Sequence, residues 1–299
     1  MSDVLMGLDI GATKILGVVA SVDGVVLDSV RVASPTGGAA VVAAAAEVVG
    51  MLRDTAGAGL DVVGVGIPGL VDVDHGTVRH AVNLGVADGY PVGEQLGTAT
   101  GARVVLDNDA NAAALGAAAV LGASDLAYLS LGTGLAAALV LDGALRRGSG
   151  NAAGEIGHIP VDPAGPRCEC GQRGCLETVA SGSAIAARWP GDGHPAAQAL
   201  FDAAADGSAE AVAVRDRFAA RVADAVRLVA LTVDPAVVVL GGGVAQVGER
   251  LRDAVADALA AQAAASPFLR SLDLAGRLRM APGDVPVAAL GAALLGRRS

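Results

Sequence analysis

All three cysteines of this 299-residue chain, Cys168, Cys170 and Cys175, fall within eight residues, and His158 lies ten positions before the first of them. Three thiolates and an imidazole are the donor set of a closed tetrahedral zinc site, which leaves no open coordination position and is therefore structural. Cys-x-Cys is tighter than the usual ligand spacing, and Gly171 and Gly174 give the backbone the freedom to fold sharply around an ion. The alternative, three buried free thiols and an unrelated histidine, has to treat the clustering as accident. Glu155 stands three residues before His158 and Glu177 two after Cys175, so one ion would fix two carboxylates on separate segments. Carboxylates held in this way suit a polyhydroxylated ligand, because each accepts two directed hydrogen bonds. Taken singly, either glutamate reads as an ordinary solvated charge.

A second group of residues suits phosphate. Glycine turns occur in "DIGATK" from Asp9, "SLGTGL" from Ser130 and "LGGGVA" from Leu240. None is a P-loop and none is a dinucleotide fingerprint. Backbone N–H groups of any tight glycine turn can nevertheless hold phosphate, and Thr13 and Thr133 place a hydroxyl beside two of these turns. Twenty of the 21 basic residues are arginine, and the single lysine, Lys14, sits in the first turn with Asp9. Codon bias accounts for the scarcity of lysine but not for that location. In "VVLDNDANAAALG", Asp107, Asn108, Asp109 and Asn111 crowd the end of a strand where a helix cap needs one of them. Asp109 is the candidate general base for an attacking hydroxyl.

The elements that must carry these residues follow from pattern. The first 31 residues read as three strands in an antiparallel meander with a hairpin at Asp23-Gly24. A helix, a short apolar strand "DVVGVGIPG", the strand "ARVVLDND" and an alanine-rich helix follow, in the order βββαβαβα. The second half repeats the plan: "LAYLSLGTG", "LAAALVLDGALRRGS" with a hairpin at Asp142-Gly143, a long helix through "AVAVRDRFAARVADAVRLVALTV", the strand "AVVVLGGG" and a helix from about Val244. Two α/β halves with glycine loops at strand ends place the natural ligand site in a cleft between them.

Composition excludes several classes. Hydrophobic residues make up 53% of the chain but aromatics only 2%, so the core is built from Ala, Val and Leu. No apolar run is long enough to span a bilayer and no secretory leader is evident, so a cytoplasmic protein is expected. A net charge of −10 argues against nucleic-acid binding. Clustered cysteines of odd number fit metal work in a reducing compartment.

Together these motifs resemble the ROK (repressor, open reading frame, kinase) family of sugar kinases. "GLDIGATK", "GIPGLVD", "NLG", "DNDANAAALG", "LGTGL", "GEIGHIPVD", "CECGQRGCLE" and "VVLGGGVA" occur in the family's order, over essentially the whole chain. The resemblance implies two RNase H-like domains of the actin-like ATPase superfamily with an interdomain cleft and a structural zinc site. These are a smaller domain of residues 1–109 plus 288–299 and a larger one of 110–287, with the C-terminal helix returning to the first. It implies an ATP-dependent hexose kinase, glucokinase-like, with Asp109 as catalytic base on the sugar 6-hydroxyl. Gly69, Asn83, Asn108, Glu155, His158 and Glu177 would bind or line the sugar, and His158 would serve zinc as well. Gly11, Thr13, Lys14, Thr133 and Gly134 would form the phosphate loops, with Asp9 near magnesium and Gly242 and Gly243 beside the adenosine.

The implied cofactors are ATP, Mg2+ and Zn2+. The implied partners are a small sugar and further copies of the chain, as a homodimer or homotetramer, with no nucleic acid or membrane. Family repressors carry an added DNA-binding domain before the kinase-like fold, and with a first strand read from Val4 none is expected here. Two departures stand out. Ala136, Ala137 and Ala138 replace glycines usual after "GTG", which puts ATP affinity in doubt if positive φ is needed there. Ala117 replaces a frequent acidic residue at the expected pocket edge. N-acetylmannosamine, N-acetylglucosamine or fructose as substrate, or a sugar-responsive regulator without turnover, are the rival readings.

Overall fold

β-Branched and aliphatic residues at the start of the chain fold as β1 (Val4–Ile10), β2 (Lys14–Ser21) and β3 (Val26–Ala33), paired antiparallel in sequence order. The computed structural model describes residues 4–56, 60–191 and 193–297. Its first compact unit comprises Met1–Ser124, Gly143–Ala153 and Asp284–Ser299. There α1 (Gly38–Ala56) leads to β4 (Val62–Ile67), parallel to β1, and after β5 (Leu70–Asp72), β6 (Thr77–Arg79) and α2 (Val92–Thr100) comes β7 (Arg103–Asn108), parallel to β4. The sheet order is β3-β2-β1-β4-β7, and α3 (Asp109–Leu121) starts where β7 stops. The small antiparallel pair β5-β6 is absent from the sequence reading: three residues per strand carry too little alternation to register.

The second unit comprises Asp125–Asp142 and Gly154–Gly283. It contains β8 (Leu126–Leu131) and β9 (Leu135–Leu141), after which the chain gives the short β10 (Ala144–Leu145) to the first unit's span. Asp142 and Gly143 both take left-handed φ, 53° and 69°, as the expected hairpin requires. The short α4 (Gly182–Ala186) and α5 (Ala196–Ala205) precede the 25-residue α6 (Ala209–Val233). Ser208 caps α6 on the Ala211 N–H, and Val214, Phe218, Val222, Val226 and Val229 bury one stripe of it. β11 (Val237–Gly241) then runs parallel to β8. The helix expected from Val244 begins later. A 3-10 turn, Val244–Val247, comes first, and Gly248 at φ 76°, ψ −146° breaks it before α7 (Glu249–Ala263). α8 (Pro267–Ser271) and β12 (Leu278–Met280) complete the unit. The order β9-β8-β11-β12 repeats β2-β1-β4-β7 strand for strand, which is the duplication read from the sequence. No helix among the described residues is long and apolar enough to cross a membrane.

The last helix, α9 (Val287–Arg297), belongs to the first unit. It approaches by backbone, not by side chain. A Cβ at Gly64 on β4 would overlap the Ala292 carbonyl, and one at Gly291 would overlap the Ala112 carbonyl on α3. Alanine and glycine at this crossing bring α3, α9 and the sheet to close packing without large residues.

The β7-to-α3 junction is held by a buried carboxylate. Asp107, 1% exposed, accepts from Arg147 Nε at 2.7 Å, the Asn111 amide at 2.8 Å and the Asn108 N–H at 2.8 Å. Arg147 Nη2 adds a contact at 2.6 Å while keeping 33% of its side chain in water. Removing the cation would strand a dehydrated charge, which costs more than the pair contributes. Arg147→Ala should therefore lower unfolding free energy by about 2–3 kcal/mol, below the figure for a fully buried pair because Arg147 is partly hydrated. Urea denaturation measures this, and an unchanged midpoint would show that Asp107 is satisfied without its arginine.

Candidate functional site

In the first unit the candidate residues collect because three neighbouring strands are parallel and end together. Asp9 on β1 is in register with Gly66 on β4, Gly66 with Asp107, and Ile67 with Asn108 on β7. The carboxyl ends of such strands are where ligands bind in parallel sheets. The Gly11 N–H closes the β1–β2 turn on the Lys14 carbonyl at 2.9 Å, with Thr13 exposed at its tip. Asn108 is the N-cap of α3: its side-chain oxygen accepts from the Ala110 and Asn111 N–H groups, and its amide donates to the Gly69 carbonyl at 3.0 Å. Gly69 itself sits at φ 106°. Asp109 follows as the first residue of α3, one carboxylate oxygen accepting from the Ala110 N–H at 2.9 Å. Burial raises the Asp9 carboxyl to about 6; the Asp109 carboxylate nearby adds to the rise and Lys14 opposes it. Asn83, exposed on the 3-10 turn Val82–Leu84, makes no hydrogen bond to this group among the described residues.

In the second unit the segment "GEIGH" lies against β9. The Ala137 N–H donates to the Gly154 carbonyl at 2.7 Å, and a Cβ at Gly154 or Gly157 would overlap the Ala137 or Leu135 carbonyl. That contact fixes the residues between and after the glycines. Glu155 Oε2 lies 3.8 Å from His158 Nε2, and Glu177 Oε1 lies 3.5 Å from His158 Nδ1, so the two carboxylates flank one imidazole. Burial lifts Glu155 above the usual carboxylate range; His158 counteracts the rise and Glu177 reinforces it.

His158, Cys168, Cys170 and Cys175 present ligand atoms that all lie within 4.8 Å of one another. Cys170 Sγ is 3.6 Å from Cys175 Sγ, and Cys168 Sγ is 3.7 Å from His158 Nδ1. Edges of about 3.6–3.8 Å follow from tetrahedral zinc with ordinary Zn–S and Zn–N lengths. The donor set and its spacing therefore fit such an ion. Cys168 Sγ donates to Glu177 Oε1 at 2.9 Å, and burial followed by this bond pushes its thiol up. Gln172 was not singled out by the sequence reading, yet its amide reaches the His158 carbonyl at 3.0 Å, Cys170 Sγ at 3.4 Å and Cys175 Sγ at 3.7 Å. Its side-chain N–H, then its backbone N–H, bring the exposed Cys170 thiol down to about 6. An amide donor inside a cysteine loop is the signal that would have found it.

The second unit's glycine loops adjoin because β8 and β11 are parallel, with Gly241 opposite Ser130. The Gly132 N–H bonds the Gly134 carbonyl at 3.1 Å, a closure one residue tighter than that of Gly11 on Lys14, and Thr133 is exposed between them. A Cβ on Gly134 would stand 2.8 Å from Glu177 Oε2, so this loop and that carboxylate are neighbours. Gly242 takes φ 82° after β11, and Gly243 follows it in helical geometry.

Two expectations need correcting. Ala136, Ala137 and Ala138 lie within β9, paired with Ser130, Leu129 and Tyr128, and none has positive φ. Alanine is at no disadvantage in extended backbone, so the φ argument against ATP binding falls. Ala117 does not edge a pocket: it is 0% exposed within α3, where the helix is buried on nearly all sides.

Residues 5–298 match the model of the ROK family. A glucokinase of Thermotoga maritima is 35% identical over 269 residues, covering 83% of this chain and 84% of the relative. An N-acetylmannosamine kinase of Yersinia pseudotuberculosis is 35% identical over 243 residues, covering 80% and 82%. Among solved structures, a ROK family glucokinase from Streptomyces griseus in complex with glucose and AMPPNP is similar at TM-score 0.82 and 30% identity, over 99% of this chain and 100% of that one. With the motifs matched from one end of the fold to the other, this chain belongs to the ROK family.

Proposed function

We propose that the chain is an ATP-dependent sugar kinase that phosphorylates the 6-hydroxyl of a hexose, glucose foremost, with Asp109 as general base. The observation that carries the reading is the pair of carboxylates, Asp9 and Asp109, the second near enough to raise the first, where β1 and β7 end beside a glycine turn and a helix start. Similarity to kinases of glucose and of N-acetylmannosamine supports the reaction class.

Each residue has a role its contacts allow. Asp109 takes the hydroxyl proton as the sugar oxygen bonds to the γ-phosphorus; the bond from that phosphorus to the bridging oxygen breaks, and ADP leaves with the electron pair. Asn108 has its oxygen committed to the helix and one N–H to Gly69, leaving a single N–H for a sugar hydroxyl. Glu155 and Glu177 accept from neighbouring hydroxyls, whereas His158, with Nδ1 turned to Cys168 as a zinc ligand, would carry its proton on Nε2 and donate there to a hydroxyl oxygen. Backbone N–H groups of the turns at Gly11 and Gly134, with the Thr13 and Thr133 hydroxyls and Lys14, receive phosphate oxygens. Asp9 is the carboxylate to face magnesium, which when bound with ATP neutralises charge on the phosphates. His158, Cys168, Cys170 and Cys175 would hold zinc, whose contribution is to tie the segments bearing Glu155 and Glu177 together.

Three measurements test this. Purified enzyme given ATP and a panel of hexoses should show its highest kcat/KM on glucose, and Asp109→Asn should lower turnover by roughly a thousandfold or more while sugar affinity changes little. A variant with near-normal turnover removes Asp109 from the role, and preference for N-acetylmannosamine reassigns the substrate. Elemental analysis should give one zinc per chain, and chelation should lower the melting temperature and raise KM for sugar; metal-free protein with unaltered stability would contradict the structural assignment. The third concerns Asp9. Its folded pKa of about 6 exceeds the ordinary 3.8, so it contributes most stability below the unfolded value and loses it as pH rises through about 6. Without nucleotide or magnesium, Asp9→Asn should be more stable than wild type by about 2–3 kcal/mol at pH 7.5, an advantage that shrinks towards pH 4. A pH-independent difference would show that Asp9 is not desolvated.

A further inference from the structure

Outside the residues given roles above, the second unit holds a cavity of about 280 Å³ whose rim is basic on an acidic chain. One wall is a single face of α6, where Val214, Arg217, Phe218 and Arg221 recur at helical spacing. Arg188, just after α4, supplies a third guanidinium, and Ile185 of α4 extends the apolar floor made by Val214 and Phe218. Against three arginines the lining offers one carboxylate, Asp162. Arg221 is paired with Asp224 at 2.9 Å. Arg188 bonds only the Ala184 carbonyl, at 3.4 Å, and Arg217 has no carboxylate partner among the described residues.

Guanidinium forks left without carboxylates, over an apolar floor and inside a concavity, are complementary to a small molecule with a dianionic head and an apolar body. On a chain of net charge −10 an anion is repelled from most of the surface, so a locally positive hollow is where it would be retained. We propose that this cavity is a binding site for a small phosphomonoester, its phosphate held by Arg188 and Arg217 and its organic part on Ile185, Val214 and Phe218. The remaining wall comes from Val161, three residues after His158, and Val179, two after Glu177. The occupant therefore packs on the same two segments that carry candidate sugar-binding residues. This inference is independent of the kinase reading, because none of the lining residues has a role in that reaction.

Calorimetric titration of the full chain with phenyl phosphate and with inorganic phosphate tests it. Fluorescence of Trp189, the chain's one tryptophan, next to Arg188 and packed on the core, is read in parallel. Phenyl phosphate should bind saturably and shift Trp189 emission, at least about fivefold tighter than inorganic phosphate because of the apolar floor. The Arg188→Ala, Arg217→Ala double variant should lose about tenfold or more in affinity. Both arginines are exposed, so the variant should keep the wild-type melting curve. Lys14→Ala should leave the affinity as it was, which separates this site from the candidate ATP turn. Absence of saturable heat, equal affinity in the double variant, loss of binding in Lys14→Ala, or inorganic phosphate binding as tightly as phenyl phosphate would each overturn the proposal.

Discussion

Two carboxylates separated in sequence by a single residue have opposite fates, and the rest of the first unit is arranged so that they can. Asp107 is buried and satisfied by a guanidinium, an amide and a backbone N–H. Asp109 lies beyond the strand end, beside Asp9. What separates them is the change from pleated to helical backbone at Asn108, whose extended φ and ψ of −64° and 144° and cap bonds to Ala110 and Asn111 end β7 and start α3 within one residue. A strand alternates its side chains and a helix does not, so placing the switch there sends one acid into the core and leaves the next for chemistry. The Asp107 network anchors the strand side of the junction from which Asp109 projects.

The second unit meets a different problem. Between Gly154 and Ser181 the chain has only two short 3-10 turns and isolated bridges, Pro160 with Cys175 and Arg167 with Arg173. So long a connection without sheet or α-helix has little core of its own and needs a cross-link to be held in one shape. The cysteines and His158 supply the ligands for one, and the backbone adds bonds such as Cys168 N–H to the Gln172 carbonyl at 2.9 Å. The ligand cluster and the carboxylates are parts of one device, because Glu177 touches both Cys168 and His158.

Much of this was legible in the sequence because it is local or repeated. The meander, the hairpin at Asp142-Gly143, the duplicated strand plan and the cysteine ligand set are all written within short windows. Asn108 and Asp109 stood out because a cap needs one polar residue and the stretch has four. The parts that could not be read are distant or contextual. Arg147 is paired with Asp107 across 40 residues, and no periodicity links them. The doubt cast on Ala136–Ala138 came from the glycines usual at those positions, but pairing to β8 gives them extended backbone in which alanine is at no disadvantage. Ala117 lost its assigned place because α3 is covered on nearly all sides, which composition alone does not reveal.

The poverty of aromatics, 2% of the chain, has a mechanical consequence. Large side chains fill space through rotamers that can adjust, whereas alanine and glycine bring backbone against backbone with nothing to adjust. At the α3–α9 crossing, Gly116 and Gly291 leave no room for a Cβ against Val287 and Ala112, so α3 is fixed by main-chain contacts along the half that begins with Asp109. On the sheet side, a Cβ at Gly66 would come within 3.4 Å of the Asp109 Cα. The base is therefore positioned by two rigid surfaces and a cap. A catalytic group that must meet a hydroxyl to within a few tenths of an ångström is served better by such contacts than by a packing of flexible side chains.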